Sequence, residues 1–162
     1  MAEPTWIERH IPGRHGEVRV REYLPPREVA GPRLVWVHGG GWVVGTLDEP
    51  EAHQVSMRVA AAGFPVTSVE YGLVPMFPVV GPLRLRPSPF RYPVPQDQVM
   101  DAWLDAHATH GGPMWLGGAS AGACLAAGVA LRLRDGEAPA PLGLAFLYGL
   151  FHGVLPPASA AL

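Results

Sequence analysis

Residues 118–122 read Gly-Ala-Ser-Ala-Gly and stand between a short apolar run, Met114-Trp115-Leu116, and a long stretch of small and apolar residues, 121–134. No other feature of this chain restricts its fold so much. A serine hydroxyl that must project from a sheet edge needs a sharp strand-to-helix turn in strained backbone geometry. Glycines two before and two after let strand and helix approach where a Cβ would clash. The N-terminus of the following helix then lies beneath any oxygen that becomes negative. Taken alone, the pattern also fits a glycine-rich helix start capped by serine. In its strand–turn–helix setting it points to Ser120 as a nucleophile, with the N–H of Ala121 as one oxyanion donor.

A second signal lies upstream. His38-Gly39-Gly40-Gly41-Trp42 follows Leu34-Val35-Trp36-Val37, a continuous apolar run of the kind expected for a strand covered on both faces. Consecutive glycines leave backbone N–H groups free to point at a bound oxygen, and Gly40 and Gly41 are the candidate donors. The bland alternative is a flexible loop. Trp42 either walls an acyl or alcohol pocket or packs the loop.

The rest of the chain places these motifs. Runs at 7–11 and 17–23 flank turn residues, and the second alternates Val18 and Val20 with Glu17, Arg19 and Arg21, which is hairpin patterning. Residues 51–62 read as a helix opened by Pro50 and closed by Gly63, and 65–70 as a buried strand. The proline-rich stretch 72–95 has no usable periodicity and reads as a loop. Residues 96–109 read as a helix with Val99, Ala102, Trp103 and Ala106 on one face; His107 and His110 suit the dipole at its end. Then come a strand at 114–116, a tight turn at 117–122, a buried helix at 121–134 and a last strand at 142–148. Trp36, Trp103 and Trp115 take core positions, as does Cys124; His10, His15 and His53 read as surface residues. Such alternation gives one α/β domain over 1–162, a mostly parallel six-stranded sheet with helices on both faces, in the order 1-2-4-3-5-6.

Residues 38–45, 69–73, 92–97 and 116–133 resemble the hormone-sensitive-lipase-like esterases of the α/β-hydrolase fold. The resemblance covers nearly the whole chain from Ile7 onward. It implies hydrolysis of carboxylic esters, usually of short acyl chains, without a cofactor or metal. The family's nucleophile maps onto Ser120 and its oxyanion glycines onto Gly40 and Gly41. His38, with Gly39, matches the start of the oxyanion motif, which braces the loop and is not the catalytic base. There are three departures. Few residues precede Ile7, where the family carries cap helices. Residues 72–84 look inserted. The sequence stops after its sixth strand, whereas the family's acid and base follow later strands, so the expectation is a partial, C-terminally truncated α/β-hydrolase fold.

Residues present here do not obviously replace the missing pair. In this fold the order is Ser, acid, His. Asp135 lies at the far end of the nucleophile helix, about 22 Å away at ~1.5 Å per residue, and Glu137 just beyond it. His152 follows the last strand, which returns to the edge where Ser120 sits; it is either a base or a loop histidine.

Composition excludes other classes. Apolar residues make up 48% and charged residues 16%, which argues against disorder, and a net charge of −2 offers nothing to nucleic acid or an anionic surface. The single cysteine rules out an intrachain disulfide, and residues 1–9 lack a secretory pattern, so a soluble cytoplasmic protein is expected. The apolar run at 143–155 is too short for a membrane span, which takes about 20 residues. A dinucleotide-binding reading of 117–122 fails because Ala119 stands where a third glycine is needed. Two readings remain: a serine esterase acting on a small ester, weakly active or inactive as this chain, and a non-catalytic remnant or binding module of the same fold. In either, the last strand is expected at a sheet edge, open to self-association.

Overall fold

The computed structural model describes residues 2–75, 88–136 and 139–152. Strands β1 (Thr5–Ile11) and β2 (Val18–Leu24) form an antiparallel hairpin that runs from Ile11 opposite Val18 to Thr5 opposite Leu24. Four further strands follow: β3 (Arg33–Val37), β4 (Val66–Glu70), β5 (Met114–Ala119) and β6 (Gly143–Leu147). They are parallel to one another, β2 joins β4 antiparallel, and the six-stranded order is β1-β2-β4-β3-β5-β6. That is the architecture and strand order the sequence predicts.

Side-chain alternation along the strands sorts the core into two layers. Leu34, Trp36, Val66 and Ala119 face α1 (His53–Ala61), whose Ala60 is buried among them. Val35, Val37, Val69 and Leu116 face the other way. There they meet α2 (Val94–His110) and α3 (Ala121–Arg134) through Val99, Trp103, Leu125 and Val129. Helices therefore flank both faces, one on the first and two on the second. Among the described residues no helix is long and apolar enough to cross a membrane.

Several local expectations are corrected. β5 does not stop at Leu116, and 117–122 is not one continuous turn. Gly117 and Gly118 continue the ladder beside Trp36 and Val37, and only Ser120 separates strand from helix. These glycines serve close approach rather than turning: a Cβ on Gly118 would stand 2.7 Å from Val37 O and one on Gly117 would strike Ala145 O. α2 starts at Val94, two residues early, because a proline fits the first turn, where an N–H has no helical partner. α1 begins only at His53, and the preceding residues make turns.

Trp115 is 40% exposed rather than core: on the face toward α1 it lines an open groove with Leu34, Val59 and Ala145. β2 is interior, so its alternation does not send charges to solvent. Arg21 and Glu22 are both buried. Each is paired: Arg21 donates to Glu8 at 2.9 Å, to Asp48 at 2.7 Å and to Leu47 O at 3.0 Å, and Glu22 accepts from Arg9 at 3.0 Å. Burial of an ion is tolerated only with such partners.

Candidate active site

Ser120 occupies the single position between β5 and α3, with φ 51° and ψ −119°. Positive φ is uncommon for a residue with a Cβ, and the neighbours show what holds it. The Ser120 N–H donates to Leu147 O at 2.8 Å, tying the turn to the end of β6. The Ser120 carbonyl accepts from Cys124 N–H at 3.2 Å, which opens α3. Gly122 packs on the end of β3 so closely that a Cβ there would strike Val37 O and His38 O.

The glycine loop starts from that contact. A Cβ on Gly39 would stand 3.2 Å from Ala119 O and would strike the Glu51 carboxylate, so the loop lies directly against the serine turn. Gly40 has φ 105°, and a Cβ there would overlap Val44 O. Its carbonyl accepts from Val43 N–H at 3.1 Å and Val44 N–H at 3.0 Å, which curls the loop. Gly41 follows at φ 59°, exposed. The amides of Gly40 and Gly41 have no acceptor among the described residues. Ala121 is the first residue of α3, where an N–H lacks an intrahelical partner.

His38 braces this loop from behind. It is buried, its ring stacks on Tyr71 at 4.4 Å between centroids, and its Nδ1 lies 2.7 Å from Gly39 O. The Tyr71 hydroxyl donates to the same carbonyl at 3.0 Å. Burial pushes the His38 pKa down and the Tyr71 pKa up, so both are neutral at pH 7. Since Gly39 O can only accept, Nδ1 carries the proton; Nε2 has no partner among the described residues. Tyr71 was not singled out from the sequence, although it closes the family-like Val69-Glu70-Tyr71.

Trp42 is half-buried at φ 65°. It packs against the α2–α3 core and lines a 310 Å³ cavity with Val74, Tyr92, Pro95, Cys124 and Leu125. Cys124 is not a core residue: it is partly exposed on this cavity, and its Sγ donates to Leu150 O at 3.0 Å. The helix turns this position toward the loops rather than the sheet.

His152 is exposed, and no hydrogen bond ties it to Ser120 among the described residues. Most of the apparently inserted segment 72–84 lies outside the described residues. Among those that are described, no group of three His, Cys, Asp or Glu side chains is placed to hold a metal ion.

Ser120 thus stands at positive φ on a turn against which the glycine loop packs through Gly39, and comparison with known proteins gives the family to which such a chain belongs. The model of a family described as alpha/beta hydrolase fold matches residues 34–160. The chain belongs to the α/β-hydrolase fold family, in its hormone-sensitive-lipase-like esterase branch. It is 33% identical over 132 residues to the carboxylic ester hydrolase LipN of Mycobacterium tuberculosis, a match covering 77% of this chain and 31% of that protein. Among solved structures it is similar to a bacterial heroin esterase, with TM-score 0.75, 29% identity, and coverage of 91% of this chain and 45% of that one. A hyperthermophilic esterase from the archaeon Pyrobaculum calidifontis gives TM-score 0.72, 28% identity, and coverage of 90% and 45%. The chain thus spans less than half the length of each of these relatives.

Proposed function

We propose that this chain carries the nucleophile and the oxyanion donors of a carboxylic ester hydrolase acting on small esters. The observation that supports this most is that Ser120, at φ 51° between strand and helix, sits on a turn packed through Ala119 O against Gly39, the start of a loop whose Gly40 and Gly41 amides have no acceptor among the described residues. The reaction would proceed in two halves. Ser120 Oγ attacks the acyl carbon, and the carbonyl π pair moves onto oxygen, which the N–H groups of Gly40, Gly41 and Ala121 stabilise. Collapse of that intermediate expels the alcohol and leaves an acyl-serine, which water hydrolyses. The cavity walled by Trp42, Tyr92 and Leu125 suits a small apolar group of the ester. No cofactor enters this scheme.

The Ser120 proton needs an acceptor, and His152 is exposed and not bonded to the serine. A serine hydroxyl without a base is a weak nucleophile at neutral pH, so we expect this 162-residue chain to turn over a short-chain chromogenic ester feebly or not at all. Turnover that vanishes in both Ser120→Ala and His152→Ala would overturn that expectation and establish a Ser120–His152 dyad. Turnover surviving Ser120→Ala would remove the serine from the mechanism altogether.

A further inference from the structure

Two hydrogen-bonding side chains beside the serine turn have no part in the scheme above. We propose that Glu51 and Tyr148 form a positioning pair that fixes the glycine loop relative to Ser120; this rests on the ester-hydrolase reading.

The geometry joins three segments that are distant in sequence. Glu51 precedes α1, and its backbone is fixed: Glu51 O accepts from the Nε1–H of the buried Trp36 at 2.7 Å. Its carboxylate stands against Gly39, where a Cβ would strike Oε2. The other carboxylate oxygen accepts from the Tyr148 hydroxyl at 2.7 Å. Tyr148 directly follows Leu147, whose carbonyl receives the Ser120 N–H. One residue past the strand, Tyr148 takes φ 39°, a left-handed conformation that costs energy for a side chain of its size. A closed circuit results: Ser120 to Leu147, Tyr148 to Glu51, Glu51 to Gly39, and Gly39 back against Ala119. Without the Glu51–Tyr148 link, β6 and the loop are joined among the described residues through the sheet and the serine turn alone, with no side-chain tether between them, and the loop gains freedom relative to the serine. The hydrogen bond raises the Tyr148 pKa, with partial burial adding to it, so the phenol remains a donor at neutral pH.

Two measurements on the full chain test this. Hydrogen exchange is followed at residues 39–45 in wild type, Tyr148→Phe, Glu51→Ala and the double variant. The rate of covalent labelling by diethyl 4-nitrophenyl phosphate is read in parallel, with Ser120→Ala as the blank; labelling forms an Oγ–P bond and releases 4-nitrophenolate. We expect each single variant to speed exchange at 39–45 about 3- to 10-fold and slow labelling about tenfold, while amides of the β1–β2 hairpin stay unchanged. The double variant should do no more than either single, because both remove one link. Glu51→Gln, which keeps an oxygen acceptor, should keep most of the wild-type exchange and labelling. Wild-type exchange at 39–45 in Tyr148→Phe, a wild-type labelling rate there, or effects that multiply in the double variant would overturn the pair. If wild-type Ser120 is not labelled at all, as a serine without a base allows, the exchange measurement alone decides whether the pair holds the loop, and unchanged exchange in Tyr148→Phe overturns the pair whatever becomes of the ester-hydrolase reading.

Discussion

Gly122 has no room for a methyl group. Its Cβ would strike both Val37 O and His38 O, and backbone atoms of β3 cannot swing aside as a side-chain tip does. Overpacking of this kind costs typically about 1–3 kcal/mol. The strain would fall on the contact that brings the glycine loop to the serine turn. Gly122→Ala is therefore expected to lower the urea midpoint by an amount equivalent to about 2 kcal/mol and to slow labelling of Ser120. Gly136→Ala makes a useful contrast: it has open space around it and φ 99°, so it should cost stability without changing labelling. A Gly122→Ala protein with wild-type midpoint would show that the β3–α3 contact is looser than described. The residues with the strictest steric demands were also the most legible in the sequence, because glycine and serine at fixed spacing leave a pattern. Glu51 and Tyr148 left none, since 97 residues separate them and each is an ordinary residue for its surroundings. Tyr71 lies between these cases, within a family-like run but with no steric mark of its own.

At the scale of elements, a cluster of charges ties the hairpin turn to both helices of one face. Asp97, in the first turn of α2, accepts from His15 at 2.7 Å and from Arg132, in the last turn of α3, at 2.7 Å. Asp101, one turn later, accepts from Arg14 Nε at 2.8 Å and Arg14 N–H at 2.9 Å. Burial alone would raise the Asp97 pKa, but the hydrogen bonds from His15 and Arg132 outweigh it and hold the carboxyl below its ordinary value. Its pKa is lower folded than unfolded, so its stabilisation is complete above the unfolded value of about 3.9 and is lost as pH falls through the native one. Asp97→Asn should therefore destabilise the protein at pH 7 by about 1–3 kcal/mol and flatten the loss of stability as pH falls from about 4 to about 2. Urea midpoints at those pH values check it; equal steepness in the variant and wild type would assign acid sensitivity elsewhere, with Glu22 the next candidate. Nothing in the linear sequence announced this cluster. His15 read as a surface residue, and the partners of Arg14 lie more than 80 positions away. Element boundaries were legible to within a few residues wherever apolar periodicity met a proline or glycine. They slipped at β5, where glycines required by close packing look like glycines that make a turn.

At the scale of the whole molecule, the β6 edge of the sheet carries open apolar surface. β6 is the last strand of the sheet, and its outer backbone edge pairs with no described strand. Apolar side chains flank it on both faces. Toward α1 lies a 380 Å³ groove between Leu34, Val59, Phe64, Trp115 and Ala145, with Leu147 44% exposed nearby. Toward α3 lies a 530 Å³ groove that includes Leu131, Leu142, Leu144 and Phe146, with Leu144 47% exposed. This is why Trp115 departed from its expected core place: its neighbours are other apolar groups that have nothing over them. An unpaired strand edge flanked by apolar surface is a template for another strand. We expect the 162-residue chain, on its own, to associate through this side. Sedimentation velocity over a range of concentrations should show species larger than the monomer. Leu144→Lys with Leu147→Lys puts one charge on each face of β6, and edge charges of this kind oppose strand addition; the double variant should shift the distribution to monomer. Both side chains are already near half exposed, so the folded monomer should lose little stability, and the urea midpoint separates lost association from lost fold. Wild-type chain that stays monomeric at high concentration, with the β6 amides protected from exchange, would mean that something within the chain already covers the edge. Association that persists unchanged in the double variant would move the interface away from β6.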